Sequence, residues 1–227
     1  MNNTSINLKS LLLNANKVLS EKKYNEGKSI LEKINSLNSD IFEVNYNLGL
    51  INLKLNNLDD ATINFEKAIK LNPGLSNIYF NLGIVLDRKK DFNLAIKNFQ
   101  KVIEIDPENS HAYYNLGSVY QEIFKRIEAE KYLKKCIELN PKYLLAYNNL
   151  FDVYDRSNQT EKFKELLSEA KKNFDDKNIL NFYSGMYEYK NKNYKSAIKT
   201  LENIKLKKDF FTQDIRRHGV LAKSYDF

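Results

Sequence analysis

The side chains that could carry chemistry are few. The two histidines, His111 and His218, lie in opposite halves of the chain. Cys136 is the single cysteine and has no partner for an intrachain disulfide. The sequence holds no HExxH, no CxxC and no glycine-rich phosphate loop. Asp59-Asp60 and Asp175-Asp176 read as charges at helix starts or turns, not as an acid–base couple. No catalytic residue, metal site or cofactor is expected. What recurs is asparagine: Asn47, Asn81, Asn115 and Asn149 follow one another at a constant step. A side-chain amide both donates and accepts. A row of amides can therefore meet the C=O and N–H groups of an extended peptide without reading its sequence. One position earlier stand Tyr46, Phe80 and Tyr114. Their faces offer contact area at low entropic cost, or packing between neighbouring helices.

The step belongs to the whole chain. Tyr79, Leu82, Gly83, Leu86, Ala95, Phe99 and Pro107 recur one step later as Tyr113, Leu116, Gly117, Tyr120, Ala129, Leu133 and Pro141. Shifted back by the same step they are Asn45, Leu48, Gly49, Asn52, Ala61, Phe65 and Pro73. The phase holds across six units: 8–41, 42–75, 76–109, 110–143, 144–177 and 178–211. Each predicts two helices and a short turn. In the third, helices are predicted over Ser76–Arg88 and Asn93–Ile105, joined by Lys90-Asp91-Phe92. Asp106-Pro107 closes the second, because proline disfavours helical geometry in the residue before it. Gly49, Gly83 and Gly117 are expected to face Ala61, Ala95 and Ala129, small against small. Residues 1–7 read as an N-terminal extension. Residues 212–227 read as a capping helix or the start of a seventh unit, with Ile215, Gly219 and Ala222 in phase. In the fifth unit Phe151 and Phe163 take the two small positions, so that helix pair is expected to be splayed.

This pattern resembles the tetratricopeptide repeat (TPR) family over residues 8–222, including the TPR regions of O-linked N-acetylglucosamine transferases and of bacterial members. The resemblance implies an all-α fold, a right-handed solenoid of helix–turn–helix repeats. The first helix of each repeat would line a concave groove that binds peptides. Carried over position by position, the groove would present Asn47, Asn81, Asn115 and Asn149, with Tyr46, Phe80 and Tyr114 beside them. Arg88, Glu122 and Arg156 would supply flanking charges. Further groove positions fall on Leu50, Lys54, Ile84, His111, Asn148, Phe182, Tyr183, Met186 and Lys190. The asparagines also belong to the family's consensus at that position, so peptide contact and structural use both stay open. The clamp that chaperone adaptors use for a C-terminal carboxylate is absent: no unit has Lys at its fifth position.

Composition narrows the class further. The 227 residues carry a net charge of +7, with the excess late in the chain, from Lys190 to Lys208. The 31 asparagines follow no single site. No stretch approaches the roughly 20 apolar residues of a membrane span, and the short run Leu11-Leu12-Leu13 is too brief for a signal peptide's core. A cytoplasmic protein is expected. The partner is expected to be another protein or an extended peptide; nucleic acid is disfavoured by the modest basic excess, and the oligomeric state is open. The leading reading is a non-catalytic interaction scaffold. The alternative is the recognition array of a larger transferase, a glycosyltransferase or sulfotransferase, whose catalytic domain lies outside this chain.

Overall fold

The apolar periodicity is realised as helix after helix, and the computed structural model describes residues 3–202, 204, 217 and 219–224. Twelve α-helices run through residues 3–201: α1 (Asn3–Ser20), α2 (Tyr24–Leu37), α3 (Phe42–Lys54), α4 (Leu58–Leu71), α5 (Ser76–Arg88), α6 (Phe92–Ile105), α7 (Ser110–Glu122), α8 (Arg126–Leu139), α9 (Leu144–Arg156), α10 (Thr160–Asn173), α11 (Lys177–Lys190) and α12 (Tyr194–Leu201). There is no strand among the described residues, and no helix there is long and apolar enough to cross a membrane. The fold is an all-α solenoid built from successive helix pairs. It packs as two units, Met1–Val119 and Tyr120–Phe227. α1 begins at Asn3 and so takes in residues that the sequence phase left outside the first pair. Of the expected seventh first helix, Ile215, His218 and Phe227 lie outside the described residues, as do Lys205, Lys207 and Lys208; residues 219–224 are helical.

Each first helix of a pair stops in the same way. Lys22, Asn56, Lys90, Phe124, Asn158 and Lys192 all have positive φ, between 54° and 64°. They keep the same step as the asparagines. Around Lys90 the bonds are Asp91 N–H to Leu86 C=O (2.9 Å) and Lys90 N–H to Asp87 C=O (2.9 Å). That is the Schellman pattern, which satisfies two carbonyls the helix end would otherwise leave open. The other five turns repeat it. No glycine marks these positions, so the sequence carried no sign of them. The second helices end differently. Asn72, Asp106 and Asn140 leave the helical region, at ψ 85–89°, each directly before a proline.

The second helices bury one narrow stripe: Ala61, Phe65 and Ala68 on α4, Ala95, Phe99 and Val102 on α6, Ala129, Leu133 and Cys136 on α8. The offsets 0, 4 and 7 are one helix face. Cys136 is fully buried within it, a packing residue. The glycines face this stripe, but at a different residue from the one expected. A Cβ built on Gly49 would lie 2.6 Å from the Phe65 ring, and one on Gly83 would lie 2.7 Å from the Phe99 ring. The missing side chain makes room for the aromatic ring, not for the alanine one helical turn before it on the same stripe. Gly185 does the same for Leu201.

In the Tyr120–Phe227 unit, Phe151 stands where the glycine would be. Its ring lies 4.8 Å from that of Phe163 and stacks on Tyr183 at 3.9 Å and 17°. α9 and α10 pack less closely than α5 and α6. Two rings now fill the space that one ring and a glycine filled before. Tyr147, one turn earlier on α9, is buried; its hydroxyl donates to Glu169 Oε1 (3.2 Å) and accepts from Asn173 Nδ2 (2.8 Å). Burial pushes its phenol up to about 12, against the Asn173 bond and aided by the Glu169 charge. Tyr154 is raised as well, by burial and then by Glu130, whose carboxylate accepts its hydroxyl at 3.1 Å. Burial would raise Glu130 too, but Lys162, Lys134 and the Tyr154 hydroxyl outweigh it and hold it below the usual range.

Two outcomes follow from this packing. Gly83→Ala should cost about 1–3 kcal/mol, the usual loss for overpacking, read as a lower urea midpoint. Gly74→Ala is the control: an added Cβ meets only Asn72 Oδ1 at 3.8 Å, so stability should hold or rise by about 0.4–1 kcal/mol. The second outcome concerns alkali. A folded phenol pKa above the unfolded value of about 10 stabilises the fold below pH about 10 and loses that contribution as pH climbs toward about 12. Tyrosinate absorbance from Tyr147 and Tyr154 should therefore appear together with loss of helical circular dichroism. Tyr147→Phe should make stability fall less steeply with pH over that window.

Candidate functional site

Within Met1–Val119, α3 and α5 present the same face at the same offsets. Asn47, Leu50 and Lys54 on α3 correspond to Asn81, Ile84 and Arg88 on α5, and all six line one cleft of about 530 Å³. The offsets 0, 3 and 7 put each trio on one helix side. Leu53 joins them, and Leu19 of α1 and Tyr24 of α2 close the far wall. Leu19 and Tyr24 were not expected there. The first helix pair departs most from the repeat, so position-by-position transfer had little to say about it.

The cleft is apolar on its floor and cationic at one end. Neither Lys54 nor Arg88 has a carboxylate partner among the described residues. Arg88 Nη1 instead reaches Leu53 C=O at 3.5 Å, in the last turn of α3, where a cation also meets the negative end of the helix dipole. Asn81 Nδ2 donates twice, to Asn77 C=O at 2.8 Å on its own helix and to the Tyr46 hydroxyl on α3 at 3.2 Å. Both of its N–H groups are thereby used, and Oδ1 is the atom left to serve a ligand, as an acceptor only. Asn115 Nδ2 donates to His111 C=O at 2.7 Å and keeps one N–H.

The aromatic row serves packing at Tyr46 and Phe80. Tyr46 stacks on Phe42 at 5.8 Å and tilts against Phe65 at 6.0 Å. Phe80 meets Phe99 edge-on at 5.9 Å, and His111 at 6.5 Å. Both are half-buried, as is Tyr114. Tyr46 and Phe80 thus lean on the rings that the glycines admit.

Within Tyr120–Phe227 the expected groove residues fare differently. Asn149 is half-buried; Glu122 and Arg156 are exposed. Arg156 Nε pairs with Asp152 at 2.7 Å, and Gln121 Nε2 donates to the same carboxylate at 2.8 Å. Phe182, Tyr183 and Met186, expected to line a groove, are core residues instead. Phe151 causes this: its ring occupies the glycine site and recruits Tyr183 as a stacking partner. The Tyr183 hydroxyl then donates to Asn148 at 2.8 Å, which is also buried. Lys190 is committed to Asp155, to its carboxylate at 2.9 Å and its carbonyl at 2.8 Å.

Comparison with known proteins bears on these helices directly. Family models described as tetratricopeptide repeat match residues 42–75, 64–97 and 110–143, and one described as TPR repeat matches 88–123. No curated protein matches the chain. Among solved structures, MamA residues 41 to the end from Desulfovibrio magneticus RS-1 is 21% identical, covering 74% of this chain and 97% of that one, with a TM-score of 0.67. PilF of Pseudomonas aeruginosa is 14% identical over 86% and 88%, at 0.67. YrrB, described as a TPR protein with an unusual peptide-binding site, is 18% identical over 87% and 98%, at 0.64. At these identities the likeness is one of fold.

The two amides should part company when removed. Asn81→Ala cuts a bond between α5 and α3 and should cost about 0.5–1.5 kcal/mol. Asn115→Ala cuts a bond within its own helix and should stay within about 0.5 kcal/mol of wild type. Equal urea midpoints for the two variants would show that the Asn81–Tyr46 bond contributes nothing.

Proposed function

Because the chain is a tetratricopeptide repeat protein, we propose that this interaction scaffold holds an extended segment of another protein in the cleft between α3 and α5. The observation that carries the reading is the lining itself. One cleft brings together an apolar floor, two cations without carboxylate partners, and amides repeated at one step of the array. The contact set proposed for the segment is Asn47, Asn81 and Asn115, flanked by Arg88. Tyr46, Phe80 and Tyr114 would lie beside those amides, with Tyr46 accepting from Asn81. Asn149, Glu122 and Arg156 would serve the same role in the second unit. The segment's backbone N–H groups would donate to Asn81 Oδ1, and a carboxylate on it would meet Lys54 or Arg88. Sequence preference should be loose at the amides and stricter at the charged end. The six-unit division of 8–211 belongs to the same proposal, supported by first helices that start at the evenly spaced Phe42, Ser76, Ser110 and Leu144. A cytoplasmic setting also belongs to it, supported by a lone cysteine kept in the core. No catalytic residue is assigned.

The test uses peptides selected by display against the full chain, with affinities read by fluorescence anisotropy. An uncharged hydrogen bond contributes about 0.5–1.5 kcal/mol net, so each lost amide should weaken binding by roughly threefold to tenfold. The Asn81→Ala, Asn115→Ala double variant should weaken unrelated selected peptides alike. Arg88→Ala should weaken chiefly those that carry Asp or Glu. Undiminished binding by the double variant would remove the cleft from the reading.

A further inference from the structure

Of the six left-handed turn positions, five are lysine or asparagine, and the sixth is Phe124. A positive φ is least costly for glycine and tolerable for asparagine, while for a bulky ring it is an outlier. The ring gains no burial in return. Phe124 is 76% exposed and Ile127, one turn of chain away at the start of α8, is 84% exposed. They are the two most exposed large apolar side chains among the described residues. Two water-facing apolar groups three residues apart in one turn, among polar ones, are the kind of exposed apolar surface that marks contact sites. The turn itself is the same helix-closing one as in the other five pairs, so neither backbone geometry nor burial accounts for a phenylalanine there.

The rim has a sign. Lys125 and Arg126 flank the ring, both exposed and neither with an ion-pair partner among the described residues. Phe124 and Arg126 also border a small hollow of about 50 Å³ floored by Val153, with Arg156 and Gln121 on its sides. Asp152 is occupied by Arg156 and Gln121, Glu128 is half-buried, and Glu122, though exposed, is not without a partner. Beside the ring, Ile127 and the cations Lys125 and Arg126 face solvent, and neither cation is neutralised by a carboxylate among the described residues.

We propose that the α7–α8 turn is a second docking point, centred on Phe124 and Ile127, for a protein segment that carries an apolar side chain between acidic ones. The apolar side chain sits on the Phe124 ring and over the hollow. Its acidic neighbours meet Lys125 and Arg126. This point lies on the turn side of the helices, uses none of the α3–α5 lining, and can stand or fall without the cleft.

The probe is a short peptide alternating Asp or Glu with Leu and Phe, beside a Lys-for-acid counterpart and an all-Asp peptide, titrated into the ¹⁵N-labelled full chain. Amide shifts should move over residues 121–128 and 153–156 with the first peptide only. Phe124→Asn supplies a residue that two sister turns already use, so thermal stability should hold or rise. The same variant, and separately Ile127→Lys, should weaken the peptide's effect at this patch by about tenfold or more, while Asn81→Ala with Asn115→Ala leaves it unchanged. Four results would overturn the proposal. They are a melting temperature that falls in Phe124→Asn, shifts confined to α3 and α5, equal shifts with the all-Asp peptide, or concentration-dependent self-association abolished by Phe124→Asn. The last would make the occupant a second copy of this chain.

Discussion

The close seating of a large apolar side chain against a glycine of the neighbouring helix, an aromatic ring in two of the pairs, is what the array is built on. At Gly49 and Gly83 the first helix offers no side chain, and Phe65 and Phe99 from the second helix enter the gap. A glycine inside a helix costs about 1 kcal/mol relative to alanine. Burying a phenylalanine contributes about 1.5–3 kcal/mol, so the exchange favours the pair. The same rings are the surface on which Tyr46 and Phe80 rest, and Tyr46 in turn orients Asn81. A constraint inside the pair thereby sets the pose of a side chain at the cleft.

The C-terminal unit shows what happens when that constraint is broken. With Phe151 in place of the glycine, the ring site is already full. The excess aromatic volume is taken up by Phe163, Tyr183 and Phe182 in one aromatic cluster, stacked only between Phe151 and Tyr183. Positions that lie open on α3 and α5 become core on α11. A shared repeat therefore does not imply a shared surface. One residue at the tightest point decides whether the face of the next helix is available to a ligand or taken up by packing.

This is also the measure of what could be read from the residues alone. Period, helix pairs and the prolines that close the second helices were legible, because each is a local rule: apolar spacing, or the exclusion of helical geometry before Pro73, Pro107 and Pro141. The partner of each glycine was not. Both Ala95 and Phe99 lie on the buried stripe of α6, and only the ring's reach chooses between them. The cleft's α3 and α5 walls followed from matching positions, whereas Leu19 and Tyr24 came from the pair that fits the pattern least. The fate of Asn81's amide hydrogens depended on Tyr46, a full repeat earlier in the chain, a pairing that no single helix reveals.

The left-handed turns hold a different kind of information. Six times the chain places a residue with a side chain where glycine would sit with less strain, at a cost on the order of 1 kcal/mol each. Glycine there would also loosen the unfolded chain and return part of that gain. What remains is a reserve that the array has not used, divided over six turns in separate helix pairs. Changes in groups that share no partners add nearly independently. The protein's margin against unfolding can therefore be adjusted in small steps at the turns, leaving the ring contacts and the cleft lining as they are.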